Sequence, residues 1–170
     1  MNPHQDITRN RSLTVAVSAA LCVAASLLVS LADAADPPAA PPPGSPGLFV
    51  GAAPLAAALD AAKAKSTDLA LASVGVTNQY SIHEVYRGKS APPAVHPGWT
   101  ELHFILEGSA TFVTGGTNKG SGPGAIIEGG VSQKIAKGDA VIVPANTPHW
   151  YQTVDGSVTY LEVRFRAPSP

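Results

Sequence analysis

The chain has 170 residues, of which 45% are hydrophobic and 14% are charged, and its formal net charge is −1. This length predicts one domain, the apolar content excludes a wholly disordered protein, and the lack of a basic excess argues against a nucleic-acid partner. The single cysteine can form neither an internal disulfide nor a cysteine-based zinc site.

Residues 1–34 have the pattern of an export signal. Arginines at positions 9 and 11 precede an uncharged run of 20 residues, and positions 32–34 read Ala-Asp-Ala. A basic start, an apolar middle and an A-x-A end are typical of a secretory signal peptide. The pattern predicts cleavage after Ala34, a periplasmic or secreted protein, and no membrane association after cleavage. The alternative is an uncleaved signal that anchors the chain, because 20 uncharged residues can just span a bilayer.

Two short segments precede the main domain. Residues 35–50 are rich in proline, which excludes helix and strand ladders and predicts an extended linker. Residues 51–67 contain an alanine-rich run at 52–65, which predicts one short helix. The apolar stripe of that helix consists of Leu55, Leu59 and Ala62.

The remaining segment, 68–170, has the sequence pattern of an all-β domain. Short runs rich in Val, Ile, Thr, Phe and Tyr alternate with clusters of Gly, Pro and Asn. Many short strands between turn signals indicate a sandwich or a barrel. The glycine-rich stretch at 115–130 predicts a hairpin excursion and lacks the Lys-Ser/Thr of a phosphate loop. Strands are predicted at 69–74, 79–87, 101–107, 109–114, 125–128, 131–136, 140–143, 149–154 and 158–165.

Two patterned segments carry the chemistry. In the first, Pro-Gly at 97–98 bends the chain after His96, and the alternation of a strand places Glu101, His103 and Glu107 on one face. In the second, a Gly-Asp turn leads into a short apolar strand, a proline ends that strand, and Asn146 suits a left-handed reversal. This corner presents a histidine, at position 149, where the next strand begins.

Together the two segments resemble the two motifs of the cupin superfamily. The matching positions are Gly88, His96, Glu101 and Gly108 in the first motif and Gly138, Pro144 and His149 in the second. Three positions depart from the motifs. Ala94 replaces the first histidine of the His-x-His pair, Asn146 replaces a glycine, and Thr153 replaces the final asparagine.

The resemblance implies an all-β fold, a cupin-type jelly-roll β-barrel with one short N-terminal helix and a site inside the barrel. In metal-binding cupins three histidines and the glutamate hold one divalent ion, and this chain keeps His96, Glu101 and His149 at those positions. Two imidazoles and one carboxylate form a facial triad that suits iron(II). His103 is a candidate for the missing ligand, and a three-His, one-Glu set suits Zn, Mn, Ni or Fe. Because many cupins bind no metal, an eroded site is the alternative.

Three functions are compatible with a cupin-type barrel that contains these candidate ligands. The first is a metal-dependent enzyme that acts on a small molecule, such as a dioxygenase, isomerase or decarboxylase, with the metal carrying the chemistry. The second is a metal-free cupin that binds a small ligand, and the third is a structural or oligomeric module. An exposed sheet edge makes a homodimer a further hypothesis.

The other polar and aromatic residues have weaker assignments. We expect His83 to be structural, Glu107 to be solvated at the rim, and Arg164 and Arg166 to face solvent, with an inward anion-binding role as the alternative. Five aromatic residues near the motifs either line a pocket or pack in the barrel. They are Tyr80, Tyr86, Trp99, Trp150 and Tyr151.

Overall fold

The computed structural model describes residues 36–166. The predicted signal peptide at 1–34 therefore lies outside the described residues. Within the described range, no helix combines the length and the apolar character that crossing a membrane requires.

The described range contains one α-helix, eight strands and a short 3₁₀ helix at Gly122–Gly124, which confirms an all-β fold with one N-terminal α-helix. The helix, α1, begins at Ala52 and ends at Lys63, close to its predicted bounds. Every predicted strand has a counterpart, and the short strand β4 is an addition. The strands are β1 (Leu69–Val76), β2 (Tyr80–Arg87), β3 (Trp99–Thr114), β4 (Thr117–Lys119), β5 (Ile126–Glu128), β6 (Val131–Ala136), β7 (Ala140–Val143) and β8 (His149–Arg166).

Six of these strands form one antiparallel sheet in the order β1-β2-β8-β3-β6, and β7 also pairs with β3. Strands β4 and β5 pair only with each other. They form the hairpin excursion that the glycine-rich stretch at 115–130 predicts. The central pair, β3 and β8, carries most of the residues discussed below.

Strands β3 and β8 are each continuous, whereas the sequence predicts two strands in each place. Gly108 adopts a positive φ of 74°, and a Cβ at this position would lie 1.9 Å from the carbonyl oxygen of Ser157. The ladder between β3 and β8 shifts register on both sides of Gly108. The glycine therefore bends the strand pair without ending it. As a result, the first half of β3 pairs with β7 and the second half pairs with β6.

Two apolar clusters hold the domain together. In the smaller one, Leu59 of α1 is buried against Ala70 and Ala72 of β1, with Leu55 and Ala62 beside it, as the predicted stripe requires. Burial of one leucine side chain contributes about 2 kcal/mol. The larger cluster lies between the strands and consists of Val85, Ile105, Ala110, Phe112, Ile135, Val143, Tyr151, Val158 and Tyr160.

The described part of the proline-rich segment contains no helix or strand, and it is attached to the domain. Asn78, in the turn between β1 and β2, donates its backbone N–H to the carbonyl of Pro38 over 2.8 Å. The side-chain oxygen of Asn78 accepts the N–H of Ala40 over 3.0 Å. Prolines cannot donate to a ladder, so the segment uses a carbonyl and a non-proline N–H to make these two contacts.

Candidate metal centre

The first half of β3 supplies two buried polar side chains. Glu101 and His103 occupy alternate positions and are each 1% exposed, which confirms that they share the inner face of the strand. Their cross-strand partners on β8 are Arg164 and Glu162. Residues directly opposite each other in an antiparallel pair point to the same face, so all four side chains meet inside the domain.

The loop before β3 supplies one further histidine, His96, and the start of β8 supplies another. His149 is the first residue of β8, and its backbone makes two hydrogen bonds with Ala94, of 2.9 and 3.0 Å. Asn146 adopts a φ of 63°, as its left-handed assignment predicts, and its side-chain oxygen accepts the N–H of Gly98 over 3.1 Å. This contact ties the corner before His149 to the loop that carries His96.

His96, Glu101 and His149 form what we call the ligand group. Each offers one ligand atom, and these atoms lie within 4.8 Å of one another. The Nδ1 atom of His96 is 2.7 Å from Oε1 of Glu101, and Nε2 of His149 is 3.8 Å from the same oxygen. The Nδ1 atom of His149 lies 3.3 Å from the carbonyl oxygen of Thr147. A neutral His149 that donates its Nδ1–H to this carbonyl presents the lone pair of Nε2 to the group.

The ionisation states of this group suit a cation. Burial opposes ionisation of Glu101, but hydrogen bonds from His103 and His96 and the charge of His149 outweigh it, and they hold the pKa of the carboxyl well below its ordinary value. Burial lowers the pKa of His149 from 6.5 to about 4, although the Glu101 carboxylate acts in the opposite direction. Near neutral pH, Glu101 is therefore an anion and His149 is neutral, which are the forms that bind metals.

Glu101, His103, Glu162 and Arg164 form a second cluster, which we call the balanced group. The Nε atom of Arg164 is 3.3 Å from Oε2 of Glu101, and Nη2 of Arg164 is 2.9 Å from Oε1 of Glu162. Within residues 36–166, neither Glu162 Oε1 nor Arg164 Nε has a hydrogen bond of good geometry, so the contacts of the guanidinium are chiefly ionic. One guanidinium thus contacts two buried carboxylates and compensates part of their charge.

His103 connects the aromatic core to Glu101. Its Nδ1 atom lies 3.0 Å from the hydroxyl of Tyr151, and its Nε2 atom lies 3.4 Å from Oε2 of Glu101. Burial raises the pKa of Tyr151 far above its ordinary value, so the hydroxyl stays protonated and can donate to Nδ1. The Nε2–H of His103 then donates to Glu101. This leaves Oε1 of Glu101 facing His96 and His149.

A cavity of about 200 Å³ lies beside both groups. It is lined by His96 and His149 of the ligand group and by Glu162 and Arg164 of the balanced group. Ala94, which stands where the motif has its first histidine, also lines this cavity. The small side chain leaves open the space next to the ligand group.

The structure brings His96, Glu101 and His149 together and places His103 in an adjacent group that shares Glu101. His103 forms a group of possible ligands with Glu101 and Glu162, within 4.8 Å of one another, and not with the other two histidines. Glu107 is exposed. His83 lies outside the site, 3.1 Å from the Ser73 hydroxyl and 2.6 Å from the Ser81 hydroxyl.

The expectation that Arg164 faces solvent is wrong, and the reason is strand phase. Arg164 lies on the same face of β8 as Tyr160 and Glu162, and that face is turned inward. Arg166, by contrast, is exposed, and its guanidinium carbon lies 4.3 Å from the centre of the Trp99 ring. The sequence analysis also did not identify Glu162 and Arg87 as site residues. The alternation of Tyr160, Glu162 and Arg164 along one strand could have indicated that Glu162 faces inward.

The five aromatic residues have different surroundings. Trp150 and Tyr151 line the cavity beside the ligand group. Tyr86 packs against the cluster under α1. Tyr80 lines a separate cleft of about 650 Å³ under the proline-rich segment. The pocket interpretation therefore applies to the two aromatic residues that follow His149.

Comparison with known proteins agrees with this architecture. The family model described as Cupin domain matches residues 81–164. No curated protein sequence matches the chain.

Several solved structures are similar in fold. Hydroxypropylphosphonic acid epoxidase from S. wedmorenis has a TM-score of 0.48 and 17% identity, over 58% of this chain and 51% of that one. A putative mannose-6-phosphate isomerase from Ralstonia eutropha JMP134 has a TM-score of 0.46 and 18% identity, over 60% and 88%. The Cnp3 cupin domain of Schizosaccharomyces pombe has a TM-score of 0.45 and 14% identity, over 59% and 66%.

The chain spans about half the length of the epoxidase structures that it matches. The domain match covers β2 to β8 almost completely and contains both motif segments. The prediction of a cupin-type all-β fold is confirmed. The predicted cupin family is confirmed for residues 81–164, which form a cupin domain.

Proposed function

We propose that this protein is an exported cupin that binds one divalent transition-metal ion in its cavity and binds or acts on a small molecule there. The observation that carries the proposal is the convergence of His96, Glu101 and His149 within 4.8 Å at the cavity. Export is proposed from the sequence of residues 1–34 alone.

The donor set fits such an ion. Two imidazole nitrogens and one carboxylate oxygen suit Fe, Mn, Zn or Ni. Ligand atoms around one such ion lie about 3–4 Å apart at metal–ligand distances of about 2.0–2.2 Å. The 3.8 Å between His149 and Glu101 lies in this range, and the 2.7 Å between His96 and Glu101 needs only a small widening. With three protein ligands, positions remain open for a small molecule. A bound ion would polarise a substrate oxygen or activate dioxygen there.

The residues around the ligand group have defined tasks in this proposal. The Thr147 carbonyl orients His149, and His103 holds Oε2 of Glu101, so that Oε1 and Nε2 converge. Ala94 leaves room for the ligand, and Trp150 and Tyr151 shield one wall of the cavity from water.

Metal analysis tests the proposal. The purified full chain is stripped with chelator, reconstituted separately with Fe(II), Mn(II), Zn(II), Ni(II) and Co(II), desalted and analysed by mass spectrometry. We expect about one ion per chain for at least one metal and a loss of at least about tenfold in His96→Ala and His149→Ala. His83→Ala is the matched control, because His83 is a half-buried histidine outside the site.

A metal-free, ligand-binding cupin is the second candidate, and Arg164 favours it. The carboxylate of Glu101 already has a guanidinium nitrogen 3.3 Å away, so burial of this carboxylate does not by itself demand a metal ion. If no metal remains bound after reconstitution while the chain stays folded by circular dichroism, this second function replaces the first.

Export is tested separately from metal binding. The chain is produced in a Gram-negative host with its own N-terminus, and the mass of the periplasmic protein is measured. We expect the mass of a chain that begins at position 35. Retention of residues 1–34 in the membrane fraction supports the anchored alternative, and retention in the cytoplasm contradicts export.

A further inference from the structure

We propose that the cavity binds a small monocarboxylic acid, whose carboxylate is anchored by the guanidinium of Arg87. The inference rests on the proposed function in one respect, since it assigns the chemical class of the ligand that occupies the cavity beside the ligand group. Arg87 is the last residue of β2 and lines this cavity together with His96, His149 and Arg164.

Two tyrosines hold the guanidinium of Arg87 in place. Its Nε–H donates to the hydroxyl of Tyr160 over 2.8 Å, and its central carbon lies 4.9 Å from the centre of the Tyr151 ring. Both tyrosines belong to the buried core. A half-buried arginine fixed in this way is preorganised, so it loses little conformational freedom when an anion binds.

Arg87 differs from Arg164 in its charge balance. Arg164 contacts the carboxylates of Glu101 and Glu162. Among residues 36–166, no carboxylate lies within ion-pairing distance of Arg87, and neither of its terminal nitrogens has a hydrogen-bond partner. The Glu162 carboxylate lines the same cavity but is engaged by Arg164, so the terminal N–H groups of Arg87 have no acceptor among the described residues. A ligand carboxylate in the cavity would supply one, and its two oxygens match the two terminal nitrogens.

The cavity wall limits the charge and the size of the ligand. Glu162 also lines the cavity, so a dianion such as a phosphate monoester would meet a like charge there. The volume of about 200 Å³ corresponds to about seven water molecules at about 30 Å³ each. Leu69, Pro92 and Trp150 add apolar surface to the wall. These limits indicate an acid about as large as pyruvate or propionate.

Calorimetric titration of the full chain with acid and amide pairs tests the inference. The probes are pyruvate with pyruvamide and propionate with propionamide, because each amide has nearly the shape of its acid without the charge. Each pair is measured on metal-free and on cobalt(II)-loaded protein. We expect at least one acid to bind at least about tenfold more tightly than its amide, in line with hydrogen bonds to a charged group.

Variants locate the charge that is responsible. Arg87→Gln should weaken binding of the acid at least about tenfold, and Arg87→Lys should restore part of the loss. Lys89→Gln is the matched control, because Lys89 is an exposed cation nearby that faces Asp68; it should bind the acid as the unaltered chain does. If Arg87→Gln does not fold, nitrogen NMR of the unaltered chain should show the Arg87 Nε resonance shifting with pyruvate but not with pyruvamide.

The outcomes separate this inference from the metal proposal. Equal binding of acid and amide, no binding of any acid at tens of millimolar, or full binding by folded Arg87→Gln would overturn the inference. Cobalt content is measured on the same samples. A chain that holds no cobalt but binds pyruvate through Arg87 contradicts the metal proposal alone, whereas cobalt binding without a preference for the acid contradicts the inference alone.

Discussion

The ligand group and the balanced group share one residue, Glu101, and the two oxygens of its carboxylate have different neighbours. Oε2 faces His103 and the guanidinium of Arg164, which is a cation that the chain itself provides. Oε1 faces His96 and His149, and burial keeps the second of these neutral at neutral pH by lowering its pKa to about 4. One side of the carboxylate is thus balanced by protein, and the other offers lone pairs.

This difference explains how a buried acidic pair can coexist with a candidate metal site. Two carboxylates at 1% and 3% exposure are costly to bury unless cations compensate them. Arg164 reaches both carboxylates, so we expect the domain to fold without a metal ion. A metal ion in the ligand group would then add affinity and chemistry.

Loss of Arg164 should have the largest effect on stability. Arg164→Met keeps the length of the side chain but leaves Glu101 and Glu162 without their cation, and breaking a buried ion pair costs about 3–5 kcal/mol. Urea unfolding of the metal-free protein, followed by circular dichroism, measures the change. Arg166→Met is the control, since Arg166 is exposed beside Trp99; its cost should stay below about 1 kcal/mol. A cost below about 1 kcal/mol for Arg164→Met would contradict the role of the balanced group.

Arg164→Met also tests whether the balanced group can bind a metal ion once its guanidinium is removed. Glu101, His103 and Glu162 are three possible ligands within 4.8 Å of one another, and without the guanidinium no cation of the protein competes with a metal ion for them. Saturating zinc should therefore raise the unfolding midpoint of Arg164→Met by more than it raises the midpoint of the unaltered protein. An equal rise would show that zinc binds only to the ligand group.

Acid should destabilise the metal-free protein through His149. The pKa of His149 is 6.5 in the unfolded chain and about 4 in the folded chain, so the unfolded state binds more protons between these values. Stability is therefore full above pH 6.5 and falls as the pH drops towards 4, by on the order of 3 kcal/mol. Urea midpoints in chelator at pH 7, 6, 5 and 4 measure the slope.

Two variants identify the histidine that is responsible for this slope. His149→Gln should lose most of it. Burial also lowers the pKa of His83, so His83→Gln should remove a separate contribution of the same sign. The pKa of Glu101 is lowered as well, and its contribution is lost at still more acidic pH. An unchanged slope in His149→Gln would show that His149 is not held neutral by burial.

Much of the fold and part of the site could be predicted from sequence. The resemblance to the two cupin motifs was enough to group His96, Glu101 and His149, whereas strand alternation by itself gave only the shared face of Glu101 and His103, because short-range geometry determines the face of one strand but not which strands meet. Arg164 was misassigned because the phase of β8 depends on its register with β3, and that register shifts at Gly108. Glycines were also interpreted as strand ends. In the structure, β3 and β8 bend at these glycines and stay continuous, because the two strands pair with each other on both sides of the bend.

Substitution of Tyr151, the hydrogen-bond partner of His103, should have the smallest effect on stability. It tests whether His103 of the balanced group influences metal binding in the ligand group. Tyr151→Phe removes the hydroxyl 3.0 Å from Nδ1 of His103, so His103 can place its proton on Nδ1 instead of directing Nε2–H towards Glu101. A misplaced carboxylate should weaken metal binding about tenfold, as loss of a partner behind a ligand usually does, whereas stability should fall by only about 1 kcal/mol. Competition between cobalt(II) and a chromophoric chelator measures the affinity. Tyr86→Phe, beside α1 and outside the ligand group, should leave it unchanged. If both variants bind cobalt(II) like the unaltered protein, His103 supports only the aromatic core and does not orient Glu101.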